Sequence, residues 1–196
     1  MIKIGGSFAA RPAQLRRLME TLAGAARRRW LVVVPGGGSF ADEVRRVDRR
    51  FRLSDLSAHW MAILAMDQYG YLLQRLAPGS ALVRHRRELA PGRLNVLAPS
   101  AWLLRADPLP HSWDITSDSI AAWIARALRV RRLMLVKHTD GFLAPDLAAR
   151  ERRAAIATLA DVVDPYFSRA LHPAIGCWIV PGQRPRGIAR LIGSGY

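Results

Sequence analysis

The chain has 196 residues, 51% of them hydrophobic, and carries 30 Lys and Arg against 15 Asp and Glu, a formal charge of +15. That length and apolar content exclude a disordered chain and fit one globular domain, or two small lobes sharing a sheet. The charge decorates a fold, and it is almost entirely arginine: 28 Arg and only two Lys, Lys3 and Lys137.

Taken in chain order, Ile2 to Ile4 read as a short strand running into Gly5-Gly6-Ser7. Leu15, Leu18, Met19, Leu22 and Ala26 then recur at helical spacing, with Pro12 near the start, where its missing N–H costs nothing. Leu31 to Val34, followed by Pro35, is a continuous apolar run of the kind buried on both faces of a sheet, and it ends on Gly36-Gly37-Gly38. Ala41 to Arg50 predicts a helix. A longer one runs from an N-cap at Ser54 to Leu76, stopped by Pro78-Gly79. Short strands are expected at Ala81–Val83 and Leu94–Leu97, a helix opening at Ser117, and a buried strand at Leu133–Val136 that ends on Lys137-His138-Thr139-Asp140-Gly141. The remainder predicts a helix from Leu147 to Leu159, a shorter one near Pro165–Leu171, a strand at Cys177–Val180 and a last helix after Pro185. Alternating helices and apolar strands imply an α/β fold, a three-layer αβα sandwich around a mostly parallel sheet. Right-handed crossovers then place the strand C-termini on one edge, where ligands bind in such folds.

No run approaches the roughly 18 apolar residues of a membrane span, and the best candidate, Leu56 to Leu73, contains His59, Asp67 and Gln68. The start of the chain has no basic segment leading into an apolar one, so a cytoplasmic protein without a membrane partner is expected. The single Cys177 can form neither an internal disulfide nor a Cys-based metal site, which suits a reducing compartment; it is expected as a small buried hydrophobe. No metal-ligand cluster is expected.

Three glycine-bearing turns, Gly5-Gly6-Ser7, Gly36-Gly37-Gly38-Ser39 and Asp140-Gly141, follow strands in the same sense and should converge. Glycine lets backbone N–H groups approach an anion closely, and a following helix N-terminus adds positive potential, so these turns are candidate phosphate cradles. The P-loop, dinucleotide and protein-kinase signatures are all absent. The two lysines sharpen the reading. In a chain that uses Arg almost everywhere, Lys at both strand ends marks sites that need a compact point charge rather than a planar guanidinium. Asp118, in the first turn of the helix opening at Ser117, serves as an acidic helix-start residue and as a partner for those ammonium groups.

Together these segments resemble the amino acid kinase superfamily. The resemblance is carried in order by Lys3-Ile4-Gly5-Gly6-Ser7, Val34-Pro35-Gly36-Gly37-Gly38, Thr116-Ser117-Asp118 and Asp140-Gly141. His59 with Ala62, Met66, Asp67 and Gly70, and the run His111-Ser112-Trp113 leading to Ser119, resemble the branch of small kinases of methanofuran biosynthesis. The resemblance implies the amino acid kinase fold as a single domain over 1–196, with an acceptor lobe to about residue 110 and a nucleotide lobe after it. It implies transfer of the ATP γ-phosphoryl group to a small phosphorylated acceptor, (5-aminomethylfuran-3-yl)methyl phosphate, giving the diphosphate.

By the same resemblance Lys3 holds the transferring group and Asp118 organises the cations. Gly5, Gly6, Ser7, Thr139, Asp140, Gly141 and Phe142 serve the nucleotide; Lys137 is assigned to it as well, although the superfamily more often has a hydroxyl residue at that position. Gly36, Gly37, Gly38, His59, Asp67, His111, Trp113 and Ser117 serve the acceptor; the chemistry of such an acceptor, which needs an anion for its ammonium and a wall for its ring, assigns Asp67 to the first and Trp113 or Met66 to the second. Mg²⁺ is carried mainly by ATP oxygens. A homo-oligomer paired through the acceptor side is expected, the long helix from Ser54 to Leu76 being a candidate surface. The chain departs from the superfamily pattern in having no lysine after Lys137. Other acceptors of the same fold (uridylate, isopentenyl phosphate, acylamino acids) and a non-catalytic nucleotide-binding protein are the alternatives. Nucleic acid is not an expected partner, because the basic residues scatter over many helix faces.

Overall fold

The strand Leu31–Pro35 shows how the molecule is layered. Its five residues are all buried, Val32 and Val34 packing into one apolar layer and Leu31 and Val33 into the other. A strand whose alternate side chains all meet apolar partners is covered by helices on both faces. The computed structural model describes residues 1–138, 162–183 and 185–193. Its six strands are β1 (Ile2–Ile4), β2 (Leu31–Pro35), β3 (Ala81–Val83), β4 (Leu94–Leu97), β5 (Arg132–Lys137) and β6 (Gly176–Pro181). They form one sheet in the order β3-β4-β2-β1-β5-β6, and every neighbouring pair is parallel.

The helices are α1 (Pro12–Ala26), α2 (Gly38–Phe51), α3 (Asp55–Leu76), α4 (Ser100–Ala106), α5 (Ser117–Ala127), α6 (Phe167–Ala170) and α7 (Pro185–Gly193). On one face of the sheet, Leu15, Leu18 and Leu22 of α1 and Ile188 of α7 pack with Ile2, Val33 and Trp178. On the other, Ile120 and Ile124 of α5, Leu103 of α4 and Phe167 of α6 pack with Val34, Leu135 and Ile179. The three-layer sandwich is therefore the fold, and Cys177 lies fully buried in the second layer.

Most expected elements are present, and the differences have local causes. Ser54 caps α3 as expected, its hydroxyl accepting from the Ser57 N–H at 3.2 Å. Helix α2 starts at Gly38 rather than Ala41, because Gly38 takes a left-handed φ of +59° and turns the chain directly into the helix. A 3-10 turn at Gly6–Ala10 and the seven-residue α4 are additions, both too short to show a hydrophobic period. The α6 helix is shorter than the Pro165–Leu171 segment. The helix expected at 147–159 lies outside the described residues. No helix among those described is long and apolar enough to cross a membrane. The outer side of α3 exposes Leu56, Leu64 and Tyr71.

Candidate active site

β1 and β2 run side by side into their glycines. The Gly5 N–H donates to Val136 O at 2.8 Å and the Gly36 N–H to Ile4 O at 2.9 Å, so both amides extend the sheet by one rung. This corrects the expectation that Gly5 and Gly36 offer their N–H groups to phosphate. The cradle is narrowed to Gly6, Ser7, Gly37 and Gly38, which stand where helical turns begin and where the first amides lack intrahelical partners. The two loops meet backbone to backbone. A Cβ on Gly6 would fall 2.3 Å from the Gly38 nitrogen, and one on Gly36 would fall 2.7 Å from the Gly6 nitrogen. Glycine is needed here for close approach.

The lysines converge through strand periodicity. Ile2 and Ile4 face the α1 layer, so Lys3 between them points to the α5 side. Lys3 lies opposite Leu135, whose side chain also packs on the α5 side, and Lys137 two residues further along β5 shares that face. There Asp118 receives both: Lys3 Nζ is 2.7 Å from Oδ1, and Lys137 Nζ donates to Oδ2 at 2.5 Å. Lys3 and Asp118 are buried at 3% and 1% exposure. Burial alone would raise the Asp118 carboxyl pKa, but the charges of Lys3 and Lys137 outweigh it and hold the group below its ordinary value. Burial, followed by repulsion from Lys3, lowers the Lys137 ammonium to about 8, against the opposing pull of Asp118. Lys3 and Lys137 share the Asp118 carboxylate, with Asp164 adding a weaker attraction on Lys137, and this pair of ammonium groups at the strand ends suits an anionic group.

The first turn of α5, which carries Asp118, is held by a second carboxylate that the sequence did not disclose. Asp164, itself buried, accepts from the Thr116 N–H at 2.9 Å, the Thr116 hydroxyl at 2.8 Å, the Ser119 N–H at 3.0 Å and the Ser119 hydroxyl. Thr116 in turn caps α5. The only local signal was an Asp-Pro pair at 164–165, which reads simply as a turn.

A cleft of about 280 Å³ opens beside these elements. Gly6, Ser7, Gly37 and Gly38 form one wall, and His59, Met66, Trp113 and Ser117 line the rest. Trp113 is fixed by its indole N–H donating to Asp48 Oδ2 at 2.7 Å and by the Arg45 guanidinium 4.8 Å from its ring centroid. Arg45 and Asp55 also line the cleft; the sequence marked Arg45 only as part of a basic cluster and Asp55 not at all. Lys3, Asp118 and Lys137 are not among the lining residues, but Thr116 and Ser117, next to Asp118, are; Lys137, with 17% side-chain exposure, is the more accessible of the two lysines.

Three expected acceptor residues are placed differently from one another. His59 lines the cleft, and burial, followed by the charge of His111, lowers its imidazole pKa against Asp107. His111 packs on His59 with centroids 4.5 Å apart, and its Nε2 lies 2.8 Å from Asp107 Oδ1. Asp67 is not brought to the cleft. It accepts from the Ser100 N–H at 3.1 Å and the Ser100 hydroxyl at 2.5 Å, capping α4 from across the fold. Thr139, Asp140, Gly141 and Phe142 lie outside the described residues.

An all-parallel sheet with glycine loops and a Lys–Asp–Lys cluster at one edge defines a class, and the amino acid kinase family profile matches residues 1–152. The chain belongs to the amino acid kinase family. It is 33% identical over 144 residues to [5-(aminomethyl)furan-3-yl]methyl phosphate kinase of Methanocaldococcus jannaschii, a match spanning 72% of this chain and 66% of that relative. Among solved structures it is similar to the uridylate kinase of Archaeoglobus fulgidus, with TM-score 0.74 and 17% identity, covering 99% of this chain and 95% of the other. It is also similar to the isopentenyl phosphate kinase of T. acidophilum, with TM-score 0.55 and 16% identity over 100% and 96% of the two chains. These two likenesses confirm the fold.

Proposed function

We propose that the chain is an ATP-dependent phosphotransferase that moves the γ-phosphoryl group onto a small phosphorylated acceptor, specifically (5-aminomethylfuran-3-yl)methyl phosphate, to give the diphosphate. The observation that carries this reading is the buried Asp118 carboxylate shared by the ammonium groups of Lys3 and Lys137, next to Thr116 and Ser117 of a cleft walled by Gly6, Gly37 and Gly38. The named relative supports the choice of acceptor.

The residues fit the task. Phosphoryl transfer through a loose transition state needs alignment and positive charge, and a phosphate acceptor is already ionised and needs no general base. Asp118, held deprotonated by two cations, acts as their organiser rather than as a base. Lys137 meets the transferring group from the accessible side and Lys3 supports it from below. The amides of Gly6, Ser7, Gly37 and Gly38, at the starts of helical turns, take its oxygens. Arg45 receives the acceptor phosphate and Trp113 the furan face. Asp55, the cleft carboxylate with no ion-pair partner among the described residues, replaces Asp67 as the partner of the aminomethyl ammonium. ATP is the donor, and Mg²⁺ carried by its oxygens would neutralise phosphate charge. Residues to about 110 supply most of the acceptor side, with Ser112 to Ser117 contributed by the nucleotide lobe.

A coupled assay with ATP and this acceptor tests the proposal. Turnover that disappears in Lys3→Ala and Lys137→Ala, with folding retained, is the expected result. Absence of phosphorylation by the intact protein, or unchanged turnover in both variants, overturns it. Asp55→Asn should raise the acceptor KM about tenfold while leaving the KM for ATP unchanged, consistent with loss of one charge-assisted contact.

A further inference from the structure

His59, which lines the cleft, meets two side chains from a segment about fifty residues further along the chain. His59 comes from α3, Asp107 from the residue that ends α4, and His111 from the segment leading to α5. One ligand atom from each lies within 4.8 Å of the other two. We propose that His59, Asp107 and His111 bind one divalent transition ion of the Zn²⁺ class, separate from the Mg²⁺ that accompanies ATP.

The geometry is close to that of a bound site. Ligand atoms around a tetrahedral ion with bonds of about 2.0–2.1 Å stand roughly 3.3 Å apart, so small side-chain rotations close the cluster. His111 Nε2 and Asp107 Oδ1, now 2.8 Å apart, have to separate slightly, and the third ligand has to approach. Asp107 has a left-handed backbone, with φ of +34°, and its N–H donates to Leu103 O at 2.7 Å; this turn ends α4 beside His111. Trp60 packs edge-on against both imidazoles, with centroids 5.2 Å from His59 and 5.9 Å from His111, and this restricts their rotation.

The donor set selects the ion. Two imidazoles and one carboxylate match Zn²⁺ and its neighbours, whereas Mg²⁺ prefers six oxygens and keeps its waters. Three protein ligands leave a coordination position for water on the cleft side, where His59 stands. Binding ties the 107–113 segment to α3, and Trp113 is in that segment, so the ion sets the position of one cleft wall.

The test is made on the full chain, stripped with chelator and dialysed. Titration with Co²⁺, read by its visible absorption, is expected to saturate at one ion per chain, with Zn²⁺ displacing it and a thousandfold excess of Mg²⁺ failing to do so. Zn²⁺ should raise the thermal midpoint of the wild-type chain. His59→Gln, His111→Gln and Asp107→Asn should each weaken binding at least about tenfold. Asn tolerates the left-handed turn, so the last variant keeps the fold while removing the charge. Absence of saturable Co²⁺ binding, or equal binding by the folded Asp107→Asn and doubly substituted His59→Gln/His111→Gln chains, overturns the proposal. No step of this test involves phosphoryl transfer, so its outcome is independent of the catalytic reading.

Discussion

Lys3, Lys137 and Asp118 form a unit in which each charge depends on the others. Replacing Asp118 by Asn leaves two ammonium groups without a counter-charge in a buried place, and the expected cost is about 3–5 kcal/mol of stability, measurable by urea unfolding. Lys137 gives opposite pH slopes for activity and stability. Its ammonium titrates at about 8 in the folded chain against an ordinary 10.5. Turnover should therefore fall as pH rises through about 8, where the charge is lost. Between 8 and 10.5 the unfolded chain binds more protons than the folded one, so this group makes stability rise with pH, and below 8 its full desolvation cost remains. Lys137→Met should flatten that part of the thermal-midpoint profile. An unchanged profile would show that the buried ammonium does not titrate there. The two lysines were legible in the sequence because they were exceptions among arginines. Asp164 was not, because its partners are 45 to 48 residues away.

At the scale of elements, the glycine loops and the helix starts carry the site. Gly6→Ala puts a methyl group 2.3 Å from the Gly38 nitrogen, so α2 has to move. A loss of about 1–3 kcal/mol and weaker acceptor binding are expected, with calorimetry and KM as the readouts. Gly24→Ala on the exposed side of α1 is the matched control. A Cβ there meets nothing within 4 Å, and the helix should gain about 0.5–1 kcal/mol. Asp67→Ala removes the cap of α4 and should cost about 0.5–2 kcal/mol without changing the acceptor KM; a raised KM would return Asp67 to the acceptor. Long periodic elements such as α1 and α3 were legible from spacing alone. The short α4 was hidden, since seven residues span only two turns and its start is stabilised from α3.

Across the whole molecule, the charge of +15 sets a field rather than a single contact. Both proposed substrates are anionic, so kcat/KM for each should fall as salt rises from about 0.05 to 0.5 M, where screening shortens to a few ångströms. Salt-independent kinetics would mean that the outer arginines do not steer substrate. The continuous sheet explains how distant segments reach one edge. β1 at its centre pairs with both β2 and β5, so the glycine loops after β1 and β2 and the lysine at the end of β5 are neighbours without any special contact.

Hydrophobic period and chain direction are local properties that a parallel sheet converts into position, so the layer architecture and the placing of Lys3 and Lys137 at strand ends could be read from the chain alone. Tertiary structure decided the rest. Only folding showed that the Gly5 and Gly36 amides are engaged by the sheet, that Asp67 caps a helix instead of facing the cleft, and that His59, Asp107 and His111 meet. The first two depend on which donor lies within about 3 Å of which acceptor across tens of residues, and the third on which helix ends the fold brings together; contacts at that range leave no periodic trace in the chain.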